Sequence, residues 1–68
     1  MSVAKVIEVI GQSEKSFEDA VSQAVNEAAK TVRGIKCVDV IKQTADVAED
    51  GSISMYRADC KILFVVER

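Results

Sequence analysis

The side chains of this sequence that could do chemistry are two cysteines, Cys37 and Cys60, and a set of acidic residues. The chain has no histidine, which excludes histidine-based acid or base catalysis and every zinc site that needs histidine. Two cysteines are too few for a cysteine-only zinc site or for the disulfide framework of a small secreted domain. No pair of carboxylates is recognisable as set apart in a cleft for acid and base roles. We therefore expect a protein that is not an enzyme.

Cys37, which should lie on the face of its predicted strand opposite to Val38 and Val40, has two possible interpretations. Cys37 could be a reactive thiol if Lys36 or Arg57 supplied a basic neighbourhood, or it could be a small apolar side chain in a contact between chains. Cys60 alternates with Ile62 on the apolar side of a predicted strand, so we expect it in the core. Because the two thiols should point to opposite faces, no disulfide within the chain is expected.

Three acidic residues gather at a predicted hairpin turn: Asp46, Glu49 and Asp50. Carboxylate oxygens of this kind suit calcium or magnesium, although the spacing matches no EF-hand loop. A solvated turn is the alternative interpretation.

Composition limits the class of protein. The 68 residues are 49% hydrophobic and carry a formal net charge of −2, with no basic excess that would indicate a nucleic-acid surface. No basic segment precedes an N-terminal apolar run, and no stretch approaches the roughly twenty apolar residues of a membrane span. We expect a cytoplasmic, reduced protein that binds neither nucleic acid nor membrane.

The first two predicted elements are a strand and a helix. The segment SVAKVIEVIG is rich in Val and Ile and predicts a strand that ends in a turn at Gly11. Ser13 or Ser16 could cap the helix, with Ser16 and Asp19 as a weak variant of the capping box. The helix follows from apolar residues at a spacing of three and four: Phe17, Ala20, Val21, Ala24, Val25, Ala28 and Val32.

The predicted helix ends near Gly34. Lys30 and Arg33 would complement the helix dipole at its C-terminus, and Gly34 stands where a left-handed C′ residue is wanted.

The rest of the chain predicts a hairpin, with strands at Ile35 to Val47 and Ser52 to Glu67. Paired residues must share a face, which favours a three-residue loop, Glu49 to Gly51, with Gly51 left-handed. This register pairs Val40 with Cys60, Val38 with Ile62 and Asp39 with Lys61.

These elements give an α+β fold of β-α-β-β type, in which a three-stranded antiparallel sheet has one helix packed on one face. The patterns do not fix the order of the strands. The second face would carry Cys37, Ile41, Leu63 and Val65, with Met55 and Ile53 nearer the tip, and nothing in so short a chain could cover it. We expect this face to form a contact between subunits or to line a ligand site between them.

The chain resembles the dodecin family along almost its whole length. The similar segments are KVIEVIGQS, SFEDAVSQAVNEAAKTVR with its TVR-type ending, GIKCVDV and YRADCKILFVVE. The resemblance implies a protomer that assembles into a hollow homododecamer. It also implies a role without turnover, because dodecins commonly store or buffer flavins, stacking the rings between tryptophans and holding the ring edge with an amide.

The resemblance places Cys37 where the flavin-binding members carry the stacking tryptophan, and Arg57 where they carry the glutamine that holds the flavin. Together with Lys42 and Gln43, these are the candidate flavin-binding residues. The aromatic platform is therefore missing, and FMN, FAD or riboflavin would meet an altered site.

Dodecins that lack the tryptophan have been associated with calcium. The alternative is accordingly the same assembly without flavin, with calcium at its contacts and Asp46, Glu49 and Asp50 as candidate metal ligands.

Overall fold

The computed structural model describes residues 2–67, which form one sheet and one helix. The elements are β1 (Ser2–Ser13), α1 (Phe17–Ala29), β2 (Ile35–Val47) and β3 (Ile53–Glu67). The strands are antiparallel and lie in the order β1-β3-β2. The predicted β-α-β-β fold is confirmed, and the strand order, which the sequence left open, puts β3 in the centre. Within residues 2–67 no helix is long and apolar enough to cross a membrane.

Gly11 is not the turn that the sequence predicted. β1 continues through it to Ser13, and Gly11 is buried beneath α1. A Cβ at this position would overlap the backbone carbonyl of Ala20 and lie 3.1 Å from the Cβ of Ala24. The glycine is therefore used for a close approach of helix and strand.

The start of α1 is held by two serines. Ser16 is the N-cap, and its Oγ accepts a hydrogen bond of 3.0 Å from the backbone N–H of Asp19. The Oγ of Ser13 accepts from the N–H of Lys15 at 2.9 Å and donates to the carboxylate of Asp19 at 2.6 Å. The Ser16 cap is confirmed, but the Asp19 carboxylate bonds to Ser13 and does not complete a capping box.

The end of α1 differs from the prediction. The helix stops at Ala29, before Val32, and its last turn contains no basic residue. Lys30 is the C-cap, and its Nζ lies 2.8 Å from the carboxylate of Glu27, so its charge is paired with a side chain. Lys30 therefore lies at the C-terminal end of the helix dipole as predicted, whereas Arg33 lies four residues beyond Ala29, the last helical residue.

Gly34 is left-handed, with φ of +78°, but it lies in the link between α1 and β2 and is not the C′ residue of the helix. A Cβ here would come within 2.6 Å of the carbonyl oxygen of Val65. The backbone oxygen of Gly34 accepts a 3.0 Å hydrogen bond from the N–H of Val65, which joins the link to the central strand.

The core lies between α1 and β3 and is made of small side chains. Its fully or nearly buried members are Ala20, Ala24, Ala28, Ala58, Cys60 and Ile62. Cys60 is in the core as predicted, where burial and, to a smaller extent, the charge of Asp59 raise the pKa of its thiol. Cys37 and Cys60 are both free, as expected.

The predicted hairpin register is confirmed around the core. Val38 pairs with Ile62 and Val40 with Cys60. The loop has three residues, because Ala48 donates its N–H to the carbonyl of Ser52 at 2.8 Å, and Gly51 within the loop has φ of +88°. β3 begins at Ile53, one residue later than predicted.

Toward the tip the register shifts at a bulge. Asp59 pairs with Lys42, where uninterrupted alternation would have placed Ile41. Ile41 is the extra residue of this bulge and has no cross-strand partner on β3.

Beyond Tyr56, which pairs with the last residue of β1, residues 46–55 form a two-stranded projection that we call the hairpin arm.

Candidate functional site

The candidate site is the sheet surface that faces away from α1, which we call the outer face. Cross-strand partners share a face, so the pairing defines its members. They are Ala4, Val6, Glu8, Ile10 and Gln12 on β1, Cys37, Asp39, Lys42, Thr44 and Asp46 on β2, and Met55, Arg57, Asp59, Lys61, Leu63 and Val65 on β3.

One end of the outer face is apolar. It consists of Ala4, Val6, Cys37, Leu63 and Val65, which occupy neighbouring cross-strand rows. Val6 keeps 53% of its surface exposed, Cys37 is exposed, and Leu63 and Val65 are half-buried. No described part of the chain covers this end, in agreement with the expectation of an open sheet face.

The other end of the outer face contains Arg57, whose side chain is hydrogen-bonded to both neighbouring strands. The Nε of Arg57 donates a 2.7 Å hydrogen bond to Oε1 of Gln12 on β1, and its Nη1 donates a 2.6 Å bond to Oδ1 of Asp46 on β2. The guanidinium of the central strand therefore ties both neighbouring strands together. We call these three residues the Arg57 clamp.

Between the two ends lies a charged region in which two carboxyl groups meet. A hydrogen bond with Asp59, together with its like charge, raises the pKa of Glu8, and Lys61 opposes this shift. Oδ1 of Asp59 is buried and has no hydrogen-bond partner among the described residues. Lys42 lies opposite Asp59 on β2. Like charges in contact favour protonation of one of the two groups.

Cys37 and Arg57 lie on the same outer face, but one chain does not bring them together. Cys37 pairs with Leu63 and Arg57 with Thr44. These rows are six residues apart on β3, or about 20 Å at roughly 3.4 Å per residue. A pocket that used both side chains would need more than one chain.

The other two candidate flavin-binding residues, Lys42 and Gln43, lie on opposite faces of the sheet. Lys42 pairs with Asp59 on the outer face, one row from the Arg57 clamp. Gln43 pairs with Ala58, which is fully buried beneath α1, so Gln43 belongs to the opposite face. No pocket is present in residues 2–67.

The three candidate metal ligands lie in the hairpin arm, but they do not converge. Asp46 is held by Arg57, and Oδ1 of Asp50 accepts hydrogen bonds from the N–H and Oγ–H of Ser52 at 3.0 and 2.6 Å. These bonds lower the pKa of Asp50. Glu49 is exposed in the loop. Over the described range of the chain, no three His, Cys, Asp or Glu side chains are placed to hold a metal ion.

Sequence reasoning missed two contributors to the outer face, Gln12 and the contact of Glu8 with Asp59. The contacts of Gln12 with Arg57 and of Glu8 with Asp59 both join β1 to β3. The residues could have been found only from the strand order, which the sequence patterns leave open.

Comparison with known proteins agrees with this open-faced β-α-β-β fold. The family model described as Dodecin matches residues 3–67. The chain belongs to the dodecin family.

A curated relative gives more detail. The chain is 41% identical over 64 residues to calcium dodecin of Mycobacterium tuberculosis (strain ATCC 25618 / H37Rv), covering 94% of this chain and 89% of that protein.

Solved structures show the same fold. The tt0972 protein from Thermus thermophilus has a TM-score of 0.92 at 28% identity, covering 100% of this chain and 98% of that one. The calcium dodecin of Mycobacterium tuberculosis, described as a calcium-chelating antigen with a novel calcium-binding site, has a TM-score of 0.80 at 39% identity, covering 91% and 87% of the two chains.

Proposed function

We propose that this chain forms a non-enzymatic, hollow homododecamer that binds calcium or a similar divalent cation at contacts between chains. The hairpin arm is the observation that carries the proposal. It extends beyond the end of β1, carries Asp46 at its base and Glu49 and Asp50 in its loop, and exposes 68% of Val47 and 47% of Ile53. Apolar residues this open favour a partner surface, which would bring the carboxylates of the arm close to other chains.

Assembly is further supported by the apolar end of the outer face. Val6 at this end is 53% exposed, Ile10 farther along β1 is 61% exposed, and β1 and β2 are both edge strands. Small domains with little core commonly gain stability by association, which also covers such edges. Copies of the same chain are the partner that the family resemblance favours.

Cation binding is supported by the carboxylate oxygens of the hairpin arm and by the similarity to a calcium-binding relative. Calcium takes six to eight oxygen ligands, more than one arm supplies. Ligands from several copies of the chain would complete such a site.

A catalytic role has little support. Cys37 is an exposed thiol of the outer face, and the chain has no histidine to act as its base. Both cysteines are free thiols, which fits a reducing, cytoplasmic location.

The assembly is tested by analytical ultracentrifugation at micromolar concentration. We expect the mass of a dodecamer. A folded single chain would remove the basis for a site between chains.

Cation binding is tested by calorimetry with CaCl₂ and by the shift in melting temperature. We expect heat of binding and a raised melting temperature, both reduced in Glu49→Gln. Glu14→Gln, which removes another exposed acid from the turn before α1, is the matched control and should behave as the parent. If calcium produces neither heat nor a thermal shift, the cation proposal is wrong.

Flavin binding is the second candidate, favoured by the placement of Cys37, Lys42 and Arg57 on one open face. The stacking aromatic is absent, which costs about 0.5 to 1.5 kcal/mol per ring contact beyond the loss of buried area. Arg57 is also engaged by Gln12 and Asp46. Flavin affinity should accordingly be weak.

The test is a flavin titration followed by fluorescence quenching. Cys37→Trp should bind flavin more tightly than the parent because it returns the stacking surface. Cys37→Leu adds apolar bulk without an aromatic ring and should gain nothing. A normally assembled Cys37→Trp variant that binds no better than Cys37→Leu would show that the ligand site lies elsewhere.

A further inference from the structure

The hairpin arm leaves the three-stranded part of the sheet where β1 ends. Ser13, the last residue of β1, pairs with Tyr56, and residues 46–55 continue as two strands beyond that row. The pairing of β2 with β3 becomes irregular between Asp46 and Val47, at the base of the arm. Such irregularities bend a strand, and a two-stranded hairpin by itself is marginally stable in water. The direction of the arm therefore depends on the contacts that hold its base.

The base of the arm is held on both faces of the sheet. On the outer face, the Nε of Arg57 donates to Gln12 on β1, and its Nη1 donates to Asp46. On the covered face, the rings of Tyr56 and Phe17 meet edge to face with their centroids 4.9 Å apart. This contact fixes the row next to the arm to the first residue of α1. The Arg57 clamp connects the arm itself to β1, because Asp46 belongs to the arm.

The guanidinium suits this junction because it is planar and its N–H groups point in fixed directions. Its bonds to Gln12 and Asp46 are 2.7 and 2.6 Å long, and the second is charge-assisted. Both partners are thereby held in a defined arrangement across β3. A lysine ammonium is a point charge on a flexible stem, and it could keep the attraction to Asp46 without this alignment.

We infer that the Arg57 clamp is a fixed joint that sets the direction of the hairpin arm, and that assembly of the chain depends on this direction. The inference rests on the proposed assembly through the arm and goes beyond it by naming the residues that orient the contact. A closed assembly repeats one contact in every copy, so each arm has to leave its sheet at the same angle. Arg57 is a positioning residue in this role, since it acts through the arm.

Hydrogen exchange of the backbone amides in residues 45–56, followed by mass spectrometry, measures the order of the joint. The proteins are compared at a concentration at which they have the same mass. Arg57→Gln should speed exchange in this segment by about fivefold, the factor that corresponds to one exposed ion pair together with one hydrogen bond. Exchange around the buried Cys60 should stay unchanged.

Lys30→Gln is the matched control. It removes another exposed ion pair, that of Lys30 with Glu27 at the end of α1, which lies outside the junction. Exchange in residues 45–56 should be the same as in the parent. Equal acceleration in Lys30→Gln and Arg57→Gln would overturn the inference.

Arg57→Lys separates orientation from charge. It keeps a positive charge near Asp46 but loses the two aligned donors. Its exchange in residues 45–56 should therefore lie nearer to that of Arg57→Gln than to that of the parent. If Arg57→Lys exchanges as the parent does, charge alone holds the arm and the inference is wrong.

Dilution series in the ultracentrifuge test the dependence of assembly on the joint. The midpoint concentration for dissociation of Arg57→Gln should rise by about fivefold or more, because ordering the arm then costs free energy in every copy. Lys30→Gln should dissociate as the parent does. A loosened arm with unchanged assembly in Arg57→Gln would overturn the inference.

Gln12→Ala covers the case in which Arg57→Gln does not fold. It removes the anchor on β1 and leaves the ion pair, so exchange in residues 45–56 should rise by about twofold, with a smaller loss of assembly. In that case, unchanged exchange or unchanged assembly in Gln12→Ala overturns the inference.

The results separate the inference from the proposed function. If the parent has the mass of a single chain, the proposed assembly is wrong, and the dependence of assembly on the clamp is wrong with it. If the parent assembles and Arg57→Gln exchanges and dissociates as the parent does, the assembly stands and the inference is wrong.

Discussion

The two faces of β3, the central strand, differ in whether the same chain covers them. On the side covered by α1, Ala58, Cys60 and Ile62 are fully buried by side chains of the same chain. On the outer face the alternating residues include Lys61, which is exposed, and Leu63, which is half-buried. Strand alternation therefore produces one finished core and one surface that a single chain leaves open.

The interactions that hold the two faces also differ in kind. Beneath α1 the contacts are close packing of small side chains, which leaves little room for change. On the outer face the Arg57 clamp includes the ion pair of Arg57 with Asp46, whose side chains are 36% and 49% exposed. Such pairs are worth about 0 to 1 kcal/mol. We infer that the covered face stabilises the chain, and that the outer face is free to serve binding and assembly.

The largest effect is expected from a methyl group placed between helix and sheet. Gly11→Ala should destabilise the protein by about 3 kcal/mol or more, because the new Cβ would overlap the carbonyl of Ala20, which cannot rotate away. Urea denaturation monitored by circular dichroism measures the loss.

Gly51→Ala is the matched control for this substitution. Nothing lies within 4 Å of a Cβ there, and only the positive φ opposes the change. Its cost should be about 1 kcal/mol. Equal losses in the two variants would mean that α1 does not depend on the close approach at Gly11.

The second-largest effect on stability distinguishes two adjacent residues of β3 whose side chains lie on opposite faces of the sheet. Ile62→Ala removes a fully buried side chain and should lower the free energy of unfolding by about 3 kcal/mol. Leu63→Ala trims a half-buried side chain at the apolar end of the outer face and should cost a single chain about 1 kcal/mol. Its main effect should be on assembly, since the loss is repeated in every copy.

Dilution series in the ultracentrifuge, together with denaturation, measure both quantities. We expect Leu63→Ala to dissociate at lower dilution than the parent while its subunits remain folded. If Leu63→Ala assembles as tightly as the parent, the apolar end of the outer face is not a subunit contact.

Much of the fold could be predicted because its signals are local. The apolar spacing that includes Ala20 and Ala24 predicted a helix, and the demand that Val38 and Ile62 share a face fixed the register near the core. Gly11 was misjudged because a glycine in a strand and a glycine in a turn look alike along the chain. The difference lies in α1, which crosses that strand in space.

The candidate site was less predictable because it depends on contacts between distant segments. The pairing of Arg57 with Gln12 requires β1 to lie beside β3, and no pattern of single residues reports the order of strands. The bulge at Ile41 also moved Gln43 away from the outer face, since one extra residue reverses the faces that follow. A register error of one residue therefore affects the prediction of a site more than the prediction of a fold.

The smallest expected effect is a dependence of stability on pH that arises on the outer face. Hydrogen bonding and charge repulsion from Asp59 raise the pKa of Glu8 above its ordinary value of 4.5 in the folded chain, against the attraction of Lys61. The folded chain therefore binds this proton more tightly than the unfolded chain does. The resulting stability is complete below pH 4.5 and is lost as the pH rises through the folded pKa.

Melting temperatures measured from neutral pH down to 4.5 test this expectation, with Glu8→Gln beside the parent. The parent should gain stability on acidification over this range, and Glu8→Gln should lose that part of the gain and be the more stable protein at neutral pH. Asp50 does not obscure the result, because its pKa is lowered from 3.8 and its contribution is lost only at more acid pH. Glu14→Gln, distant from Asp59 in the turn before α1, should follow the parent. Identical pH profiles for the parent and Glu8→Gln would show that Asp59 does not raise the pKa of Glu8.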